Sequence, residues 1–356
     1  MSSSQFSVSE LPGDAISSLR FSPHPNSLRF AVASWDRSAY LYEVADGKTC
    51  VLLAKYEHRA PVLDICFGKD DNELFTACLD WDVRRIDVAS GTQTVLSTHD
   101  NGVRSVVYSQ THSLVISAAW DSTVHIHMHP GSDNPNPEWT SATITLPSKP
   151  FSLALSPSKL VVAMANRAVH IYSLSTLATD SKASTSSTNP QAVLTIEPWQ
   201  RRESSLKFMT RAIDCMPNDE GYASSSIEGR VAVEWFDPNP ESQARKYAFK
   251  CHRQPVDDVD VVFPVNAIAF HPVHGTFATG GGDGVVAIWD AVAKRRIRIY
   301  PKLNASVAAA SFSANGKYLA TAVSPGFEDG KDEIAEGSLG IFIRELGDNE
   351  VKRKAK

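Results

Sequence analysis

A chain of 356 residues, 42% hydrophobic and 21% charged, has ordinary globular composition and enough length for a large core; length alone would suggest two domains. A formal charge of −5 argues against bulk attraction to nucleic acid and leaves only a local basic patch open. No run approaches the roughly eighteen apolar residues of a membrane span, and the opening "MSSSQFSVSE" lacks the basic-then-apolar pattern of a signal peptide, so a soluble intracellular protein is expected.

In chain order, "QFSVSE" (5–10) is a first short strand, and seven strand-like lead-in phrases follow: "ISSLRFSP" (16–23), "PVLDICFG" (61–68), "GVRSVVYS" (102–109), "FSLALSP" (151–157), "RAIDCMPN" (211–218), "VNAIAFHP" (265–272) and "VAAASFSAN" (307–315). Most lead into a second recurring phrase of small residues, an acidic turn and alternating apolar residues: "ASWDRSAYLYEV" (33–44), "CLDWDVRRIDV" (78–88), "AAWDSTVHIHM" (118–128), "MANRAVHIYSL" (164–174), "SIEGRVAVEWF" (226–236) and "GGDGVVAIWD" (281–290). Asp36, Asp80 and Asp121 stand 44 and 41 residues apart, the period of a WD40 propeller blade. Seven lead-ins imply seven blades. The last, ending in "GIFIRE" (340–345), is one strand short, and "QFSVSE" is one too many. The expected fold is therefore all-β, a seven-bladed WD40 β-propeller whose ring is closed by the N-terminal strand. We expect one domain over 1–348, a basic tail over 349–356 and a disordered inter-blade loop over 179–191, with surface loops at 130–139 and 324–337. Cys50, Cys66, Cys78, Cys215 and Cys251 are odd in number and mostly lie in apolar runs; they read as core thiols of a reducing compartment, not as a disulfide frame or zinc site.

His58 precedes Asp80 by 22 residues and His99 precedes Asp121 by the same interval; His252 and Asp283 form a third copy stretched by the acidic loop "PVDDVDVVF" (255–263). A His–Asp pair can activate a nucleophile, but a catalytic dyad is needed once, whereas this one recurs with the scaffold. Structural His–Asp ties are expected, with no catalytic residue, metal or cofactor and no enzyme activity.

With the four strands of a blade lettered a to d from the channel outward, the turn phrase locates the b–c turn of each blade. Glu228 and Gly229 form that turn in blade five, so Arg230 begins the next strand, and Lys250 ends the strand after it. Strand interiors there are already supplied by Val231, Val233 and Trp235 and by Tyr247, Phe249 and Cys251, so the cations are surplus to folding. With Arg211 they converge on the rim that also carries the b–c turns, where Trp35, Trp81 and Trp120 sit. Solvated strand ends and turn aromatics packed on their own blades are the plain alternative; Arg and aromatic residues are also what carries binding energy at interfaces. An Arg/Lys pair suits phosphate or carboxylates, and isolated cations on an acidic chain fit a peptide better than nucleic acid.

The phrases "WQRRESSLKFMTR" (199–211), "SSIEGRVAVEWFDP" (225–238) and "KYAFKCHR" (246–253), with "GDAISSLRFSP", "THDNGVRSVVY" and "PVNAIAFHPVHGTFATGGGDG", closely resemble the mitotic spindle-assembly-checkpoint WD40 family, the third of the "budding uninhibited by benzimidazole" group. The messenger-RNA export WD40 proteins of the nuclear pore are similar at "SIEGRVA", "FKCHR" and "FHPVHGT". The resemblance implies a non-catalytic adaptor that binds GLEBS segments of a checkpoint kinase and its kinase-like relative and reads phosphorylated Met-Glu-Leu-Thr repeats of the kinetochore scaffold. It would act in the nucleus and at mitotic kinetochores, monomeric when alone, without membrane or nucleic-acid partners. By the same resemblance Arg230 and Lys250 grip the phosphothreonine, Arg211 pairs with acidic residues of the GLEBS segment, and Trp35, Trp120 and Glu228 support that face. The alternative it implies is an export adaptor binding the GLEBS segment of a nucleoporin.

Overall fold

A computed structural model describes residues 5–129, 139–185, 191–326 and 334–353. Each lead-in phrase forms the innermost strand of one antiparallel sheet: Ile16–Phe21, Val62–Phe67, Val103–Ser109, Pro150–Leu155, Thr210–Cys215, Val265–Phe270 and Val307–Phe312. Blade five illustrates the order outward from the channel: Thr210–Cys215, Gly221–Ser226, Arg230–Trp235 and Tyr247–Lys250. In blade seven, Val307–Phe312, Tyr318–Val323 and Gly340–Glu345 are completed by Gln5–Ser7, paired through Gln5↔Arg344, Phe6↔Ile343 and Ser7↔Phe342. The Val8 amide extends the ladder by donating to the Ile341 carbonyl at 2.9 Å. The ring is thus a seven-bladed β-propeller closed by its N-terminus, as the count of strands requires.

Middle strands are buried on both faces because each sheet packs between two neighbours. Phe30, Leu19 and Tyr42 of blade one meet Ile341, Ile343 and Val8 of blade seven in one fully buried cluster, each large side chain adding roughly 1.5–3 kcal/mol by leaving water. Polar ties cross the next two seams near the channel. Asp64 on blade two accepts from Ser18 Oγ of blade one (2.7 Å), from Ser105 Oγ (2.7 Å) and the Val106 amide (3.1 Å) of blade three, and from the Ile65 amide (3.0 Å). One carboxylate therefore fixes three consecutive blades.

Several elements depart from the plain blade pattern. Of the segment 179–191 expected to be disordered, residues up to 184 complete the helix Leu174–Ser184 and Gln191 opens the strand Gln191–Leu194, while 186–190 lie outside the described residues. Leu174 and Leu177 anchor that helix in the core of blades three and four, and the strand adds in parallel to the outer edge of blade three. Residues 130–138 and 327–333, within the two expected surface loops, are also outside the described residues, as are 354–356 of the tail. The start of the tail is docked: Val351 is buried, and its carbonyl accepts from Thr276 Oγ1 at 2.9 Å. The acidic loop at 255–263 is a two-stranded hairpin, Arg253–Val256 with Val259–Val262, turning through Asp257 and Asp258, both left-handed.

Replacing Asp64 with alanine would strand two buried hydroxyls and two amides. We expect a loss of about 3 kcal/mol in urea unfolding with unchanged far-ultraviolet circular dichroism before the transition. A midpoint equal to wild type would show that this carboxylate does not hold the seam.

Candidate functional site

In every blade the register of the innermost strand slips near its first residue, between Ile16 and Ser18, Val62 and Asp64, Val103 and Ser105, Pro150 and Ser152, Thr210 and Ile213, Val265 and Ala267, and Val307 and Ala309. A β-bulge frees one side chain from the sheet's alternation and re-aims it. Most of the bulged residues, among them Arg104, Arg211 and Asn266, line the mouth of the central channel, a cavity of about 580 Å³. Arg211 is exposed, and its Nε donates to Asn266 Oδ1 at 2.8 Å. Trp35, 44% exposed, and half-buried Trp120 stand at the same mouth.

Trp81 does not join them. Trp35 and Trp120 precede the turn aspartate, whereas Trp81 follows Asp80 and occupies the left-handed turn position (φ 78°) that Arg37, Ser122, Gly229 and Gly284 fill in other blades. Its ring is exposed and absent from the channel lining.

A second charge centre lies on blade five. Arg230 and Lys250 are direct cross-strand partners, which puts their side chains on one face of the sheet. Like charges in that position are unfavourable by roughly 0.2–1 kcal/mol. Glu228 relieves this in part, its Oε2 lying 3.8 Å from Arg230 Nε, while Lys250 is exposed and has no ion-pair partner among the described residues. Glu228 therefore stands beside Arg230 at the start of that strand. The turn that sets this geometry needs glycine: Gly229 has φ 67°, and a Cβ there would stand 2.8 Å from the Cys251 and His252 carbonyl oxygens. Exposed Ile227, Met209 and Phe208 border the turn, the Ile227 amide donating to the Met209 carbonyl at 3.2 Å.

The repeating His–Asp spacing resolves into the same tie in two blades and into a different one in the third. His252 Nδ1 lies 2.9 Å from Asp283 Oδ1 and Nε2 2.8 Å from Thr279 Oγ1, which also accepts from Trp289 Nε1 at 2.9 Å. His99 Nδ1 lies 3.1 Å from Asp121 Oδ2 and Nε2 3.0 Å from Ser117 Oγ. His58 does not meet Asp80: its ring is held by the Tyr56 carbonyl and Thr76 Oγ1, both at 3.0 Å. Asp80 is instead captured by Arg84 Nη2 at 2.7 Å and Arg59 Nε at 3.3 Å. Burial opposes ionisation of Asp80, yet the Arg84 hydrogen bond and the two guanidinium charges hold its carboxyl below the usual range. Blade two thus replaces the His–Asp tie with an Arg–Asp tie that equal sequence spacing cannot distinguish.

Three segments, 6–43, 91–127 and 245–290, match the family model for the WD domain, G-beta repeat. The chain is 44% identical to mitotic checkpoint protein BUB3.1 of Arabidopsis thaliana, covering 98% of this chain and 95% of that protein. The chain belongs to the Bub3 family. Mitotic checkpoint protein bub3 of Dictyostelium discoideum is 35% identical over 94% of this chain and 92% of its own length. The mRNA export factor GLE2 of Chaetomium thermophilum, a next relative, is 31% identical over 88% and 82%. Membership carries the WD40 propeller and the spindle-checkpoint setting, with export factors adjacent to it.

Sequence reasoning missed Arg104 and Asn266 at the mouth and the hydroxyls of Thr76, Ser117 and Thr279 behind the imidazoles. A signal for the first was present: both residues are second in their lead-in strands, at the bulge.

The buried imidazoles make stability pH-dependent. Burial pushes His58 down to about 4 and, with the neighbouring His99, His125 down to about 3, from an ordinary 6.5. The folded chain keeps both neutral while the unfolded chain takes up protons below about 6.5, so stability is full above that pH and falls as pH drops toward the folded values. Between pH 7 and pH 5 each imidazole should cost roughly 2 kcal/mol, read as a falling Tm. In His125→Phe, which keeps a ring to stack on His99, the drop should be smaller; an equal drop would remove His125 from the account.

Proposed function

We propose that the chain is a non-catalytic adaptor of the spindle assembly checkpoint. It binds GLEBS segments of the checkpoint kinase and its kinase-like relative, and reads phosphorylated Met-Glu-Leu-Thr repeats of the kinetochore scaffold, bringing the kinases to unattached kinetochores from the nucleus. The observation that carries the reading is the cross-strand Arg230/Lys250 pair, two cations that repel one another until an anion sits between them. A phosphate adds about −1.5 to −2 charge and acceptor oxygens for both. Its apolar Met and Leu neighbours have a surface to meet in exposed Ile227, Met209 and Phe208. Arg211, which lines the channel mouth together with Trp35 and Trp120, suits an acidic segment with aromatic or aliphatic anchors. Both intact His–Asp pairs are engaged by strand hydroxyls, which supports a scaffold role over a catalytic one.

The export relatives favour a second reading, an adaptor binding the GLEBS segment of a nucleoporin. That reading expects RNA binding along a basic rim whose affinity falls steeply with salt.

Two charge centres make separable predictions. Arg230→Ala should weaken a phosphorylated repeat peptide by about 2–5 kcal/mol and leave an acidic GLEBS peptide nearly unchanged; Arg211→Ala should do the reverse. Isothermal titration of both peptides against both variants reads this directly, and the opposite ranking would mean the two sites are exchanged.

A further inference from the structure

Two basic clusters that are separate in the sequence meet on the outer edge of blade six. The outermost strand of that blade, Arg295–Ile299, reads RRIRI, and Lys294 and Lys302 flank it. Lys294, Arg295, Arg296, Arg298 and Lys302 are all exposed. They run along the edge from the turn at Lys294 to the rim of the b–c turn, where the Leu303 amide donates to the Gly284 carbonyl at 2.8 Å. The tail brings the second cluster alongside. Its short helix, Asp348–Val351, packs Val351 into the core cluster that Ile297 joins, and Glu350 Oε1 lies 3.5 Å from Arg298 Nε. Lys352 and Arg353, both exposed, follow directly, with Arg353 Nε 3.9 Å from Asp290 Oδ1.

Folding does not require this charge. Charged side chains on an outermost strand guard against edge-to-edge pairing. Yet the outermost strands of blades two and three, Gln93–Thr98 (QTVLST) and Gln191–Leu194 (QAVL), carry no charged residue. Edge protection in this ring therefore does without such a cluster. Glu350 and Asp290 offset only part of it: Arg296 and Lys302 have no ion-pair partner among the described residues, and Lys294 sits over the Tyr247 ring at 4.9 Å. The net charge of −5 averages the patch away, but charges more than about 8 Å distant are largely screened at physiological salt, so a ligand at this edge meets cations.

The form of the patch selects the ligand. A line of cations on an open sheet edge matches an extended polyanion. Single-stranded nucleic acid would need exposed rings on which to stack its bases. The exposed aromatic rings among the described residues, Trp35, Trp81, Trp199 and Phe208, lie outside blade six. A five-residue strand spans roughly 15 Å, over which one strand of a duplex presents about four phosphates. We propose that the outer edge of blade six, with the docked tail, binds the phosphate backbone of a nucleic-acid duplex without reading its sequence. The patch is on a different blade from the Arg230/Lys250 pair and outside the channel, so it goes beyond the adaptor reading and stands without it.

The test is fluorescence anisotropy of a labelled DNA duplex of about 20 base pairs with the full chain, between about 50 and 200 mM salt, for wild type, Arg296→Gln/Lys302→Gln and Arg230→Ala. With about four phosphates neutralised, log K against log salt should fall with a slope of about −3.6, a loss of roughly a hundredfold across that range. The double variant should flatten the slope by about 2 and weaken binding roughly tenfold or more at the low-salt end, while Arg230→Ala changes neither. Absence of duplex binding by wild type at low salt overturns the proposal, and that arm needs no variant. Duplex binding that the double variant leaves unchanged also overturns it, because the duplex then sits elsewhere. Tighter binding of a single strand, or of poly-glutamate, would contradict the assignment to a duplex backbone. A phosphorylated repeat peptide should bind the double variant as it binds wild type, which separates failure of this site from failure of the adaptor reading. Thermal melts of the double variant should match wild type, since both side chains are exposed and outside any ion pair among the described residues.

Discussion

The pairing of Gln5–Ser7 with Gly340–Glu345 is the contact on which the rest of the molecule depends. Without it blade seven would be a three-stranded sheet with an open edge next to blade one, and the seam that buries Phe30, Tyr42 and Ile341 would lose its covering strand. Closure also makes the placement of distant residues rigid. Arg20, Arg104 and Arg211 lie on blades one, three and five, and only a closed ring, stitched across its inner seams by groups such as Asp64, holds them around one cavity.

From that scaffold two small local devices build the candidate binding face. The bulge in most of the innermost strands turns one side chain toward the channel without disturbing the hydrophobic alternation behind it. The left-handed residue in the b–c turns of blades one to six lets the next strand begin at the rim, which in blade five is where Arg230 stands opposite Lys250. Both devices repeat around the ring, so the scaffold is symmetric in backbone while the chemistry is set by which residue occupies each repeat. Blade five places two cations together; blade two spends its turn aspartate on Arg84 and Arg59. Neither arrangement alters the fold, which is how binding chemistry can vary on a constant frame.

Most of the architecture was legible because it is periodic. The seven lead-in phrases are the seven innermost strands, which place Arg211, and the strand positions of Arg230 and Lys250 follow from the turn phrase. What was not legible depends on side-chain competition or long-range pairing. His58 and Asp80 have the right spacing, but nothing local announces that Arg84 and Arg59 will take the carboxylate. Trp81 looks equivalent to Trp35 and Trp120 until the one-residue offset from the aspartate is seen to put it at the left-handed turn position. The polar stretch from Leu174 has few apolar anchors, chiefly Leu174 and Leu177, so its helix is visible only once the blade beneath it is in place. Asp257 and Asp258 make an unconventional hairpin turn, with neither the asparagine nor the glycine that usually signals one.

The central claim is that one rim of the ring holds two independent anion-reading centres, of which the blade-five pair is gated by phosphorylation. The most direct measurement is fluorescence anisotropy of a labelled Met-Glu-Leu-phosphothreonine peptide and its unphosphorylated twin, with the protein saturated by a GLEBS peptide. The account predicts that the phosphorylated peptide alone binds and that the saturating peptide does not displace it. Equal binding of the two forms, or competition between the peptides for one site, would contradict it.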